Sequence, residues 1–169
     1  MQVAQRNTTQ ASIGGNNGYW TVDRYYLFAP NTAGRLTMSQ DTDTPSGFAN
    51  SIKFDCTTAD TSIASNEYML LQQSFEGQDL QQLKKGTSDA EKITVSFYMK
   101  TSKAFTFMCE LNDSDNNRVN TQQFTTSTSW TRHVLTFAAD TTGALDDDNA
   151  LSFGVGIWMH GGSDFTGRS

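Results

Sequence analysis

The sequence predicts an all-β fold, an antiparallel β-sandwich with one short helix. Three observations predict it. Apolar and polar residues alternate with period two in segment after segment, and clusters of Gly, Asn, Asp and Ser separate those segments. The chain carries 23 Thr, 16 Ser, 11 Asn and 11 Gln, so its polar surface is mostly hydroxyl and amide, a composition that favours strands and turns over helices. Helical periodicity is confined to one short stretch, which leaves no β-α-β alternation and argues against a parallel sheet with a nucleotide crevice.

In chain order, the weaker strand candidates are 25–29, 36–40, 51–56 and 68–75. Residues 78–85 follow as the helical stretch: Leu80 and Leu83 are three apart, Lys84 and Lys85 close the segment, and Gly77 and Gly86 bracket it. Three strands with clean alternation come next or later. Ile93-Thr-Val-Ser-Phe-Tyr-Met-Lys100 puts Ile93, Val95, Phe97 and Met99 on the core face and Thr94, Ser96, Tyr98 and Lys100 on the other. Phe105, Phe107, Cys109 and Leu111 repeat the pattern, as do Leu151, Phe153, Val155, Ile157 and Met159. Between these lie 119–124 and 131–138, which brings the total to nine strands. Residues 1–18, with the glycine-rich Gly14-Gly-Asn-Asn-Gly18, read as a mobile N-terminal connection to a single sandwich domain spanning 1–169.

A length of 169 residues suffices to bury one core without disulfides or metal, and the aromatic content (11 Phe, 5 Tyr, 3 Trp) marks a chain that folds around a Phe-rich interior. The net charge of -6 repels phosphate backbones and anionic lipid, so neither nucleic acid nor membrane is expected as a partner. No apolar run reaches about 18 residues, and the first residues are too polar for a secretory leader, so a soluble, untargeted chain is expected. Cys56 and Cys109 both fall on the apolar side of alternating strands. There, buried free thiols are the commoner state of a protein made in a reducing cytoplasm.

The acidic motifs have bland readings. Asp113-Ser-Asp-Asn-Asn117 begins like a calcium loop, but Arg118 stands where the sharp turn needs Gly and Phe124 where a bidentate Glu belongs, so a hairpin turn is expected. Asp41-Thr-Asp and Asp146-Asp-Asp-Asn149 have the oxygens for a structural calcium ion, yet Asp and Asn are expected in solvated turns, and no cofactor is predicted. His133 and His160 offer neither zinc-ligand spacing nor a neighbouring nucleophile, so no catalytic residue is assigned and no enzyme is expected. The outward face of the last strand is more suggestive. Ser152, Gly154 and Gly156 would leave a shallow trough ending in Trp158 and His160, with Tyr98 and Lys100 on a neighbouring polar face. Trp158, His160 and Tyr98 are therefore the candidate ligand-binding residues, and the competing reading is that a second layer covers that face as ordinary core.

Several stretches carry a family resemblance: Met1-Gln-Val-Ala-Gln-Arg6, Ser39-Gln-Asp-Thr-Asp-Thr-Pro-Ser-Gly-Phe48, Lys53-Phe-Asp-Cys-Thr-Thr-Ala-Asp60, Gln72-Gln-Ser-Phe-Glu-Gly-Gln-Asp-Leu-Gln-Gln-Leu-Lys-Lys-Gly86 and Asp140-Thr-Thr-Gly-Ala-Leu-Asp-Asp-Asp-Asn149. Together they resemble virion structural proteins of marine tailed phages, found in fibres, appendages or capsid-associated positions. The resemblance implies a jelly-roll, galactose-binding-like sandwich, no enzyme and no cofactor. It further implies assembly in the host cytoplasm into the virion, with other virion proteins and further copies of the chain as partners. Similar domains run on beyond the 161–165 loop, whereas this chain stops at Ser169, which reads as a fragment. Three functions stay open: an attachment, adaptor or fibre module; a carbohydrate-binding module for host-surface glycan; and the non-catalytic part of a capsule-degrading enzyme.

Overall fold

The computed structural model of the protein describes residues 2–168. The chain is all-β, with antiparallel sheets and two short 3-10 helices. In chain order the strands are β1 (Thr9–Ile13), β2 (Tyr25–Phe28), β3 (Arg35–Asp41), β4 (Ser51–Thr58), β5 (Tyr68–Glu76), β6 (Ile93–Met99), β7 (Thr106–Asp113), β8 (Arg118–Thr125), β9 (Thr131–Phe137) and β10 (Leu151–Gly161). The nine segments expected from alternation are all strands, displaced by at most two residues at their ends. They order as β1-β3-β4, β2-β5-β10-β7-β8 and β6-β9.

β1 falls inside the segment expected to be a mobile connection. It pairs with β3 (Thr9↔Ser39, Ile13↔Leu36), and its register slips between Gln10 and Ile13, where Ser12 takes a left-handed φ of 58°. That bulge breaks the period of two, so the sequence shows no alternation to find. The glycine-rich residues after it are tied down too. Gly18 bridges Leu27, the Asn17 side chain accepts the Ala29 N–H at 2.9 Å, and a Cβ on Gly14 would overlap the Gly34 carbonyl oxygen.

The chain divides into two compact units. The first comprises residues up to Gln72 together with Trp158–Gly167. Its core takes Ile13 from β1, Leu36 and Met38 from β3, Leu27 from β2, and Met69 and Leu71 from β5, with Ile52 and Phe54 of β4 packed against it. The second unit is Gln73–Ile157, and its core takes Cys109 and Leu111 from β7, Phe124 from β8, Phe137 from β9 and Phe153 from β10. Ile93, Val95, Phe97 and Met99 of β6 pack onto that core, as their alternation predicts. Each unit thus has a buried core of its own, and each buried Leu, Ile or Phe side chain contributes ~1.5–3 kcal/mol.

The expected helix is η1 (Gly77–Leu83), a 3-10 helix closed by Lys84 at φ 49°. A second, unanticipated one is η2 (Ser163–Arg168). Three inward assignments are corrected. Phe105 and Leu151 are exposed (41% and 48%) because they sit at the ends of their strands, outside the layer. Cys56 also faces solvent, since residues 55–58 of the outer strand β4 are exposed on both sides. Both cysteines are free, and Cys109 is fully buried.

Candidate functional site

The trough expected along β10 is filled. Ser152, Gly154 and Gly156 are all buried, and at Ser152 the covering layer is η1 together with the loop at Asp146. A Cβ on Gly77 would overlap the Asp146 carbonyl and crowd the Ser152 hydroxyl, and Gln81 Nε2 donates to the carbonyls of Gly77 (2.9 Å) and Asp146 (3.2 Å). The small residues of β10 admit this layer instead of exposing a groove.

Trp158 lies in the first unit at 9% exposure. Its ring packs against Tyr68 (centroids 5.4 Å) and Phe165 of η2 (5.5 Å), in a row that continues through Phe28, Tyr26 and Tyr19. Most of these rings meet edge-on or tilted, which is how aromatic side chains pack against one another, and they leave little flat surface at Trp158 for a ligand. His160, half-buried two residues on, has its Nδ1 buried without a hydrogen-bond partner. Burial pushes its pKa down, against the pull of Asp60 and Glu67. Tyr98, the third candidate, belongs to β6 in the second unit, so Trp158 and His160 share a unit and Tyr98 does not.

Around Tyr98 the second unit has an open sheet face. Within β6-β9, Thr94 lies opposite Thr136, Ser96 opposite Val134 and Tyr98 opposite Arg132, and all six side chains are exposed. Tyr98 is 41% exposed and Val134 54%. Hydroxyl pairing runs across the ladder: Thr94 and Thr136 are 2.9 Å apart, and Arg132 Nη2 donates to Ser96 Oγ at 3.2 Å. Just beyond the strand ends the Lys100 ammonium sits 5.4 Å over the Trp130 ring, and the Lys103 ammonium 5.1 Å over Phe105. The two loops carrying these pairs, 100–105 and 126–130, are joined by Thr101 N–H to Ser127 O (2.9 Å), Thr126 N–H to Phe105 O (2.8 Å) and a 2.6 Å contact between the Thr101 and Thr126 hydroxyls. Flat rings, a held cation and a hydroxyl ladder can stack on, pair with and hydrogen-bond a polyhydroxylated ligand.

Sequence reasoning placed Tyr98 and Lys100 on an outward face but missed Trp130 and Arg132. The signal was there. The alternation of 131–137, carried one residue back, sets Trp130 in phase with Arg132 and Val134.

The opposite end of the β7–β8 ladder holds the acidic groups. Residues 114–117 form the expected hairpin turn, and the Asp113 carboxylate accepts from Asn116 N–H (3.0 Å) and Asn116 Nδ2. It also contacts the Lys85 ammonium, which pairs with Asp140 at 3.2 Å and donates to the carbonyls of Thr142 (3.0 Å) and Gly143 (2.8 Å). The Lys85 and Asp113 side chains are 7% and 3% exposed. Asp140 takes a two-pronged bond from Arg118 at 2.9 and 3.0 Å, which above all holds its carboxyl at about 2. Charges this fully paired brace a turn and a loop, and they are poorly suited to proton transfer at neutral pH.

The other acidic loops also bond locally: Asp41 accepts the Asp43 N–H, Asp115 the Asp146 N–H and Asp148 the Ala150 N–H. No family model, curated protein or solved structure matches the chain.

Proposed function

We propose that this chain is a non-enzymatic attachment module of a phage particle, and that it attaches by laying the β6-β9 face against a host-surface polysaccharide. One observation carries the reading: Tyr98 stands 41% exposed on a sheet face whose other side chains are hydroxyls, an Arg and a Val. A half-exposed ring among hydrogen-bonding groups gives a sugar both an apolar surface to cover and polar groups to satisfy its hydroxyls. The virion assignment and the jelly-roll form of the sandwich rest on the sequence resemblance.

The test is binding to an array of bacterial surface polysaccharides, repeated with Tyr98→Ala and with Val119→Ala, an equally exposed residue on β8, as the control. Saturable binding that the Tyr98 variant loses and the control keeps supports the reading. Silence across the array sinks it.

A homo-oligomeric fibre or adaptor role is the second reading, favoured because β6 and β9 have only each other as ladder partners among the described residues, and while the Gln122 side chain donates to the Thr136 carbonyl on the outer edge of β9, the outer edge of β6 has no ladder partner. A concentration-independent trimer in a native-mass measurement supports it, and a strict monomer removes it.

A further inference from the structure

Separately from the glycan reading, we infer that Lys85 and Asp113 condense into an amide, a covalent cross-link within the second unit that forms after the chain has folded. The Lys85 ammonium contacts Asp113 Oδ2, and the two side chains are 7% and 3% exposed. Bulk water is kept from the pair, which protects a condensation from the reverse hydrolysis. Four oxygens surround Lys85 Nζ: Asp113 Oδ2, Asp140 Oδ2 at 3.2 Å, and the carbonyls of Thr142 (3.0 Å) and Gly143 (2.8 Å). An ammonium has three hydrogens to donate, so one of these neighbours exceeds its capacity. Once a proton has passed to Asp113, the amine keeps one hydrogen for each carbonyl and has its lone pair left for the carboxyl side.

The carboxyl group is prepared at its other oxygen. Asp113 Oδ1 accepts from Asn116 N–H at 3.0 Å and from Asn116 Nδ2 at 3.1 Å. Two donors fixed on one oxygen stabilise the oxyanion that forms when a carboxyl carbon is attacked. Oδ1 is the oxygen that stays and Oδ2 the one that leaves. The ammonium gives one proton to Oδ2, the amine attacks Cγ, and the Nζ–Cγ bond forms. A second proton moves from Nζ to Oδ2 through Asp140, the Cγ–Oδ2 bond breaks, and one water departs; the third hydrogen stays on the amide nitrogen. No oxidant or outside reagent enters. Arg118 above all holds the Asp140 carboxyl at about 2, which makes it a slow relay. Slowness is compatible with a bond made once per molecule and never turned over. The bond joins residues 28 apart in sequence, and the loop it closes contains all of β6.

The experiment follows the intact mass of the full chain, denatured before each measurement, from purification through days at neutral pH. Expected is the loss of one water per chain, complete or growing with time, and a digest in which the Lys85 and Asp113 peptides appear as one branched species. The branched peptide is read in the parent chain and needs no variant. Lys85→Arg keeps the cation without a primary amine, and it should hold the full mass. Asp140→Asn should slow the mass loss roughly tenfold or more, because an amide cannot relay the proton. A parent chain that holds its full mass throughout overturns the inference. So does a water loss that Lys85→Arg still shows, since the dehydration would then lie elsewhere, and loss at the parental rate in Asp140→Asn overturns the relay step.

Discussion

Removing the Lys85 ammonium while keeping its bulk, as in Lys85→Met, should expose the largest electrostatic debt in the second unit. Lys85 contacts Asp113, sits 3.2 Å from Asp140 and caps the carbonyls of Thr142 and Gly143. Asp140 keeps Arg118, so its loss is small. Asp113, 3% exposed, would be stranded with only Asn116 as donor. Breaking a buried pair by deleting one partner costs about 3–5 kcal/mol, and the Asn116 bonds place this case near the lower figure, ~3 kcal/mol. For a chain of this length that corresponds to a fall in Tm of roughly 6–12 °C.

The assay is urea unfolding followed by circular dichroism at pH 7, with the m-value checked for constancy. Replacing both partners, Lys85→Met with Asp113→Leu, should recover most of the loss, because an apolar pair carries no desolvation cost. A loss below about 1 kcal/mol in the single variant, or a double variant as unstable as the sum of both singles, would refute the reasoning.

Two further predictions follow from the same side chains and from the thiols. The Arg118 guanidinium holds Asp140 at about 2, below its ordinary value near 3.8, so Asp140 contributes stability that is fully present above pH 4 and lost as the pH falls towards 2. Screened by solvent, as this partly exposed pair is, the loss is on the order of 1 kcal/mol, and Asp140→Asn should flatten that part of the stability profile; an unchanged acid limb in the variant would contradict the assignment. With a thiol reagent at neutral pH, the native chain should titrate one cysteine, the exposed Cys56, and the second only after unfolding. Burial, with Glu110 beside it, pushes the Cys109 thiol up to about 11, which leaves almost no thiolate to react; two fast thiols in the native state would contradict that burial.

Strand existence was legible in the residues because a strand with one covered face must alternate, and β6 does so without a break from Ile93 to Met99. β1 was not legible, since the bulge at Ser12 interrupts the only signal available. For β10 the alternation was correct and its interpretation incomplete: Ser152, Gly154 and Gly156 looked like the open side of a strand, yet all three are buried and η1 sits against Ser152. Periodicity tells which side chains share a face, but not whether another layer covers it.

The candidate site divides in the same way. The residues alone determined that the chain is built of strands and that Tyr98 and Lys100 point away from Phe97 and Met99. Tertiary structure decided that Trp158 turns into a packed aromatic row, that Lys100 reaches Trp130 across thirty residues of sequence, and that Lys85 finds Asp113 and Asp140. The physical reason is the range of the forces involved. Alternation reports the burial of a residue relative to its immediate neighbours, whereas ring stacking and ion pairing join side chains that only the strand order brings within a few ångströms.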